Sequence, residues 1–429
     1  MINDTIKLLS LEHLEPYIET IEVLQKEGVL DCQITLKRQN LECSYCGYMK
    51  LHTHSYKTKK ITHSINTRSA TILSIRYRLL MCTNCKKTVS EHFPITAYKD
   101  RISMYTQMRI LEDLRNPTKT FTAVASQYNI TTQSVINLFD EHVQPSRLTL
   151  TEYLCLDEFY LGKKSIHKYA CVVMDFERKQ ILEIYDTRHK YPLIDHLFSI
   201  PLKERERVKA VIIDMWESYK GVIKRCFPNA IVAVDSFHVI WHMNEAIKSI
   251  RIRVGERFKK EVSKLQANDM YYYMLKKFHF FFIVDYDKLA PSYKIPKLNT
   301  YYTKDNLLHY LLSIDKELEA AYKLKEAYRY FNKTADYEDC EEKLDDLIHQ
   351  FKHSKSEEFR NIYRMLIHWK TEIMNSFIKA SGRRLSNGPI ENVNSQIKTI
   401  IKSANGYKGF DRLRRRIFYS LNRNTPIKW

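Results

Sequence analysis

The stretch from Thr151 to Met243 constrains the fold more than any other, because its periodicity changes in a fixed order. "TEYLCLDEFYLG" (151–162) reads as a strand in which Leu154 and Leu156 alternate and Asp157 follows at the exit. "KYACVVMDF" and "KQILEIYDTR" read as two more strands joined by a charged turn. "YPLIDHLFSI" reads as a helix. "RVKAVIIDMWESY" contains a buried strand ending on Asp214, and "AIVAVDSFHVIWHM" contains another ending on Asp235, followed by a helix. The order β-β-β-α-β-α-β-α, three hairpin-linked strands and then α/β units, requires a mixed sheet.

That order is of ribonuclease H type, with the first and fourth strands side by side at the sheet centre. Asp157 and Asp214 then stand at neighbouring strand ends, where two carboxylates repel unless a cation lies between them. Hard oxygen ligands select Mg²⁺ or Mn²⁺. A third acid from a helix would complete a two-metal site, with ions about 3.5–4 Å apart. The plainer alternative is that each aspartate caps the helix after it. Asp175, Asp186 and Asp195 show that other acids are available.

The N-terminal third carries two C-x2-C knuckles, Cys43/Cys46 and Cys82/Cys85. Two thiolate pairs complete the tetrahedron of a structural Zn²⁺ site, and Gly47 permits the turn after the second ligand. His52, His54 and His63 lie between the knuckles and are expected at the surface, since four thiolates fill the site. The other five cysteines, Cys32, Cys155, Cys171, Cys226 and Cys340, read as small buried hydrophobes. "TILSIRYRLLMC" alternates, with Leu73, Ile75, Tyr77 and Leu79 on one face and Ser74, Arg76 and Arg78 on the other. We expect a zinc-stapled hairpin with a basic face, too small to bury much core, so that the metal supplies its stability. Next, "NPTKTFTAVASQYNITTQSVINLFDEHV" (116–143) predicts a helix from about Phe121 to Tyr128, a turn at Asn129-Ile130, and a second helix capped by Thr131 or Thr132. Val124, Ile130, Val135 and Leu138 would pack the pair as a helix-turn-helix.

Charge points to a polyanion partner. The net charge is +19 and it is uneven: residues 37–109 hold fourteen Lys or Arg against three acids. Only 9 glycines and 11 prolines interrupt 429 residues, which favours long helices. No run of 18 apolar residues exists, so no membrane span is expected. The N-terminus carries no signal-peptide pattern, and the expected location is cytoplasmic, with the nucleoid. The aromatic run "YYYMLKKFHFFFIV" is read as core rather than as a base-stacking surface.

The segment "RRLSNGPIENVNSQIKTIIKSANGYKGFDRLRRR" is as basic, with only Glu391 and Asp411 as acids. Pro389 suits a first helical turn, which places Glu391 there too. Glu391, Asn394 and Lys398 would share a helical face. As a plain first-turn acid, Glu391 would only complement the helix dipole.

In order, the chain presents two C-x2-C knuckles, a helix-turn-helix, "LDEF", "IIDMWESY", "VDSFHV" and "SNGPIENVNSQIKTIIKSANGYKGFDRLRRRI". This resembles the bacterial insertion-sequence transposases of the ISL3 type, over nearly the whole chain. The resemblance implies a DDE triad of Asp157, Asp214 and Glu391 holding two Mg²⁺ (or Mn²⁺) ions. Asp235 and His238 match a D-x2-H signature and would order those ligands from behind. Glycine often follows the third acid in relatives; here Asn392 does.

The fold expected is mixed α+β, a ribonuclease H-like catalytic domain with a large helical insertion, preceded by a zinc-binding module and a helix-turn-helix. The boundaries expected are a lead-in over 1–36, a zinc-binding basic module over 37–100, and a helix-turn-helix region over 101–148. The first part of the core covers 149–242, a helical insertion 243–375, and the C-terminal core helix with its basic tail 376–429. Contacts to double-stranded DNA, both transposon ends and target, are expected from Arg76, Arg78, Thr132, Gln133, Asn137, Asn394, Lys398, Lys402, Arg412, Arg414, Arg415 and Arg416. The active species would be a homodimer in a synaptic complex that cleaves transposon ends and transfers the strand. The rivals are a DNA-binding regulator with an inactive ribonuclease H-like domain and a structure-specific nuclease of the same fold.

Overall fold

The computed structural model describes residues 2–26, 28–64, 70–96, 101–162, 165–260, 266–407 and 409–429. Lys408 of the basic run lies outside them. The chain divides into two units, Met1–Ser146 with Gln396–Trp429, and Arg147–Ser395.

The first unit begins with α1 (Ile2–Leu8) and a five-stranded sheet of β1 (Ile18–Lys26), β2 (Val29–Leu36), β3 (Leu51–Thr62), β4 (Ala70–Cys82) and β5 (Thr88–Ser90). The strand order is β1-β2-β4-β3, with β5 also on β4. The expected β3–β4 hairpin is present and antiparallel, but residues 1–36 are no separate lead-in. β2 pairs with β4 in parallel from Val29↔Ala70 to Thr35↔Arg76, because both present apolar residues to one core. Ile34, Leu36, Ile61, Leu73 and Ile75 are buried there with Leu11, Leu14 and Phe93. At about 1.5–3 kcal/mol per buried aliphatic side chain, that core corrects the expectation that metal alone stabilises the module. The alternation along β4 also breaks. Leu73 and Ile75 are buried as expected, but Leu79 is half-buried and Leu80 and Cys82 take the inner face. A register irregularity in β3 between Thr53 and Ser55 lies opposite this shift.

α2 (Met104–Asp113), α3 (Phe121–Gln127) and α4 (Thr132–His142) follow. Thr120 and Thr131 cap α3 and α4 through their hydroxyls, accepting from Ala123 and Ser134 N–H groups. Asn129 takes φ +54° in the turn between them, a conformation that asparagine tolerates. Val124 and Val135 are fully buried, with Leu138 and Ile130 packed beside them.

The second unit is built on a sheet of β6 (Tyr153–Tyr160), β7 (Tyr169–Asp175), β8 (Ile181–Tyr185), β9 (Ala210–Ile213) and β10 (Ile231–Val234), in the order β10-β9-β6-β7-β8. β6, β7 and β8 are antiparallel neighbours, while β9 runs parallel to β6 and β10 parallel to β9. Helices α5 (Lys190–Phe198), α6 (Leu202–Arg205) and α7 (Glu217–Cys226) connect the strands. Every residue of β8 and β9 is buried, as a sheet covered on both faces requires.

A helical segment follows: α8 (Ser236–Lys260), α9 (Gln266–Lys277), a hairpin of β11 (Ser292–Ile295) and β12 (Thr300–Thr303), then α10 (Lys304–Ser313), α11 (Lys316–Thr334), α12 (Cys340–Lys352), α13 (Glu357–His368) and α14 (Lys370–Asn375). Phe278, Phe281 and Phe282 of the aromatic run are buried in the core that includes the sheet. The hairpin of β13 (Lys379–Ala380) and β14 (Arg383–Arg384) leads into α15 (Gly388–Ser403), and α16 (Phe410–Leu421) ends the ordered elements. The tail departs from expectation: residues 396–429 group with the first unit, not with the sheet of the second. Tyr419 of α16 is buried among Val124, Val135 and Phe139. Among the described residues, no helix is long and apolar enough to cross a membrane.

Candidate functional site

Strand register brings three aspartates level. β6 and β9 pair from Tyr153↔Ala210 to Cys155↔Ile212, and two further steps set Asp157 opposite Asp214. β9 and β10 pair up to Ile213↔Val234, and one further step sets Asp214 opposite Asp235. Asp157 is not at the strand exit as expected: β6 continues to Tyr160 because its other edge stays paired with β7. The β9 pairing stops at Cys155, so Asp157 lies where one edge of its strand opens.

The acids converge with residues of α8 and α15. Donor atoms of Asp235, His238 and Glu391 lie within 4.8 Å of one another. His238 Nε2 is 3.0 Å from Asp214 Oδ2. Asn387 donates to Asp214 Oδ1 at 2.9 Å, and Asn394 donates to Asp157 Oδ2 at 2.6 Å. Asp157 also accepts the Glu158 N–H at 2.7 Å. Burial, with the Asp214 carboxylate next in importance, pushes the Asp157 carboxyl up to about 7. Burial and the nearby Glu391 push Asp235 up to about 6. Burial opposes a charge on His238, but the carboxylates of Asp214, Asp235 and Asp157 outweigh it and raise its pKa.

A group of acids that resist ionising together is what a bound cation relieves. With His238 Nε2 engaged by Asp214, the ligand atoms remaining are carboxylate oxygens and the buried, unpartnered His238 Nδ1, a mostly hard set that fits a divalent ion. Asp235 was expected to stand behind the ligands, but it is as close to Glu391 and His238 as a ligand would be. Other acids are spent elsewhere. Asp175 accepts from the Glu177 and Arg178 N–H groups in the β7–β8 turn, and Glu372 pairs with Lys220 at 2.8 Å. The sequence reading missed Asn387; its signal was the Asn-Gly-Pro that starts α15.

The four knuckle cysteines form the other group. Cys43 Sγ lies 3.5 Å from Cys85 Sγ, and Cys46 Sγ lies 3.7 Å from Cys82 Sγ. A tetrahedron with Zn–S near 2.3 Å has edges of about 3.8 Å, so the donor set fits Zn²⁺. The first turn uses Gly47 at φ +69°, as expected; the second uses Lys86 at φ +60°. His52 and His54 are exposed. His63 is not at the surface: it is fully buried, bonded to Ser103 Oγ at 2.8 Å and to the Leu9 carbonyl at 2.6 Å.

The residues expected on DNA divide into two kinds. Arg76, Gln133, Asn137, Lys398 and Lys402 are exposed and Thr132 is half-buried; Gln133 and Asn137 bond to each other at 2.6 Å. The others are engaged within the protein. Arg78 donates to the Leu36 carbonyl at 2.8 Å and pairs with Glu91 and Glu19. Asn394 is buried against Asp157. Arg412 pairs with Asp140 at 2.6 Å, Arg414 donates to the Pro145 carbonyl, and Arg415 to the Asp140 carbonyl. Arg416 is 1% exposed and donates to the carbonyls of Asn116 and Lys119, both at 2.8 Å. These contacts correct the reading of the α16 arginines as a phosphate-binding row. The carbonyls they satisfy would otherwise be left without partners.

Residues 154–417, more than half of the chain, match the ISL3-type DDE family described as "Transposase". The chain is also similar to the transposase for insertion sequence element IS1001 of Bordetella parapertussis, 25% identical over 224 residues, which are 51% of this chain and 54% of that protein. It therefore spans about half the length of that curated relative. On the family match, the chain belongs to the ISL3-type DDE transposases.

Proposed function

We propose that this chain is a DNA transposase that cuts at the ends of an insertion sequence and joins the freed 3′ ends to target DNA, with Asp157, Asp214 and Glu391 as its metal-binding triad. The observation that carries the reading is that Asp157 and Asp214, level on neighbouring strands, connect through His238 to a close group in which Glu391 of α15 meets Asp235, while burial and neighbouring carboxylates push up the carboxyls of Asp157 and Asp235. The antiparallel β6-β7-β8 run, with β9 and β10 added in parallel, supports a ribonuclease H-like core.

Two Mg²⁺ or Mn²⁺ ions would supply the charge that helps water, and later the 3′-OH, attack a phosphodiester and lets the 3′ oxygen leave. Asp157, Asp214 and Glu391 would hold them, with Asp235 close enough to share in binding. His238 orients Asp214 through Nε2. In the first unit the four cysteines would hold one structural Zn²⁺, and α4 would present Gln133 and Asn137 to base edges while exposed lysines meet phosphates. Pairing two transposon ends would require two copies of the chain.

The test is cleavage and strand transfer on a labelled, end-bearing duplex with Mg²⁺, alongside a gel shift on the same DNA. Asp157→Asn, Asp214→Asn and Glu391→Gln should each lose at least about a thousandfold in cutting while still binding. Their losses should not multiply, because the residues act as a unit. Near-wild-type cutting by Glu391→Gln would remove it from the triad.

A further inference from the structure

One stripe of α15 meets the row of acids. Asn387, immediately before the helix, Glu391 and Asn394 are spaced by four and three residues, which puts them on one face. Asn387 Nδ2 bonds Asp214 and Asn394 Nδ2 bonds Asp157. Both asparagines are buried, at 0% and 5% exposure, and both carbonyl oxygens are enclosed without a hydrogen-bond partner. Turning either amide around would set its oxygen against a carboxylate oxygen. The donor end is therefore fixed by the acid, and the other end stays unsatisfied. A buried polar atom left in that state is costly, so the retained contact is the one toward the aspartate. A neutral donor also fixes a carboxylate's orientation without cancelling its charge, which a lysine or arginine in the same place would do.

We propose that Asn387 and Asn394 are positioning residues that preset Asp214 and Asp157 for divalent cations, so that the helix carrying Glu391 also fixes the other two acids. This rests on the reading of Asp157, Asp214 and Glu391 as a metal site. It gives Asn394 a task toward the metal rather than toward DNA.

The test uses the full chain with Asn387→Ala, Asn394→Ala and Asn394→Leu, the last keeping side-chain bulk without a donor. Mn²⁺ binding is measured by electron paramagnetic resonance without DNA, and the Mg²⁺ needed for half-maximal cutting is measured with end-bearing DNA. Loss of an orienting contact should weaken Mn²⁺ binding roughly 10–100-fold and shift the Mg²⁺ requirement upward, with cutting restored at high Mg²⁺. Zinc content and gel shift should stay at wild-type levels. Wild-type Mn²⁺ affinity in the folded variants, with or without a loss of cutting, would overturn the proposal and leave the triad standing. A wild-type protein that binds no Mn²⁺ at all would overturn both. If one position does not tolerate substitution, the other decides.

Discussion

The arginines of α16 and the acids of the second unit are both clusters of like charge, and they are treated in opposite ways. Each guanidinium from Arg412 to Arg416 has an acceptor: a carboxylate for Arg412, backbone carbonyls for Arg414, Arg415 and Arg416. The carboxylates face one another, with His238 Nε2 as the partner of Asp214. A charge cluster whose members are satisfied within the protein is holding structure together. One whose members repel is what a bound cation would relieve. Sequence composition cannot separate these cases, because it counts charges and not their partners.

The sharpest way to break the contrast is at Arg416. Arg416→Leu should cost the first unit about 3–5 kcal/mol, since it strips donors from the Asn116 and Lys119 carbonyls in a buried site. A fall in melting temperature with the Mn²⁺ affinity of the proposed metal site intact is the expected result. A stable Arg416→Leu that merely bound DNA less well would return Arg416 to the phosphate-binding surface.

The acid side predicts a pH effect of the next size. The Asp157 carboxyl is raised in the folded chain to about 7 and Asp235 to about 6. A raised folded pKa means that the folded state holds the proton longer than the unfolded one. The stability this contributes is full below about pH 4 and is lost as pH rises through 6 and 7, worth about 4 kcal/mol at Asp157. Without divalent metal, Asp157→Asn should therefore gain stability over wild type as pH rises from 4 to 8, and saturating Mg²⁺ should shrink the gap. Parallel melting curves in chelator would contradict this.

A milder effect is expected at the thiolates. Cys82→Ser should lose the zinc, measured by metal analysis, yet leave the first unit partly folded, because β1–β5 bury their own core. Complete unfolding would mean that the metal, not the sheet, holds the module. The smallest effect belongs to an exposed lysine. Lys402→Ala should leave melting unchanged and reduce the log–log salt slope of DNA binding by about 0.9. An unchanged slope would place the phosphate contacts elsewhere.

Much of the fold was legible locally. The strand and helix order of residues 151–242, the Thr131 cap with its Asn129 turn, and the knuckle spacing all follow from short-range period, capping and turn chemistry. Glu391 in a first helical turn followed from Pro389. What failed were expectations about partners. β2 beside β4, His63 in the core, Arg78 on Glu91 and the tail's membership of the first unit are pairings between residues far apart in sequence. Leu79 and Leu80 exchanged places because of an irregularity in the neighbouring strand.

The sequence by itself determined the candidate residues: four cysteines in paired turns, one aspartate within a buried strand and two just after others, and a glutamate at a helix start. Those choices depend on neighbours within a few residues, which the chain carries in its order. Only the tertiary structure decided which charges are spent and which remain. A guanidinium or a carboxylate is neutralised, hydrogen-bonded or left exposed to repulsion by groups that folding brings within about 3 Å. Arg416 and Asp157 are both charged letters in a basic chain. Folding surrounds the first with acceptors and sets the second beside another acid.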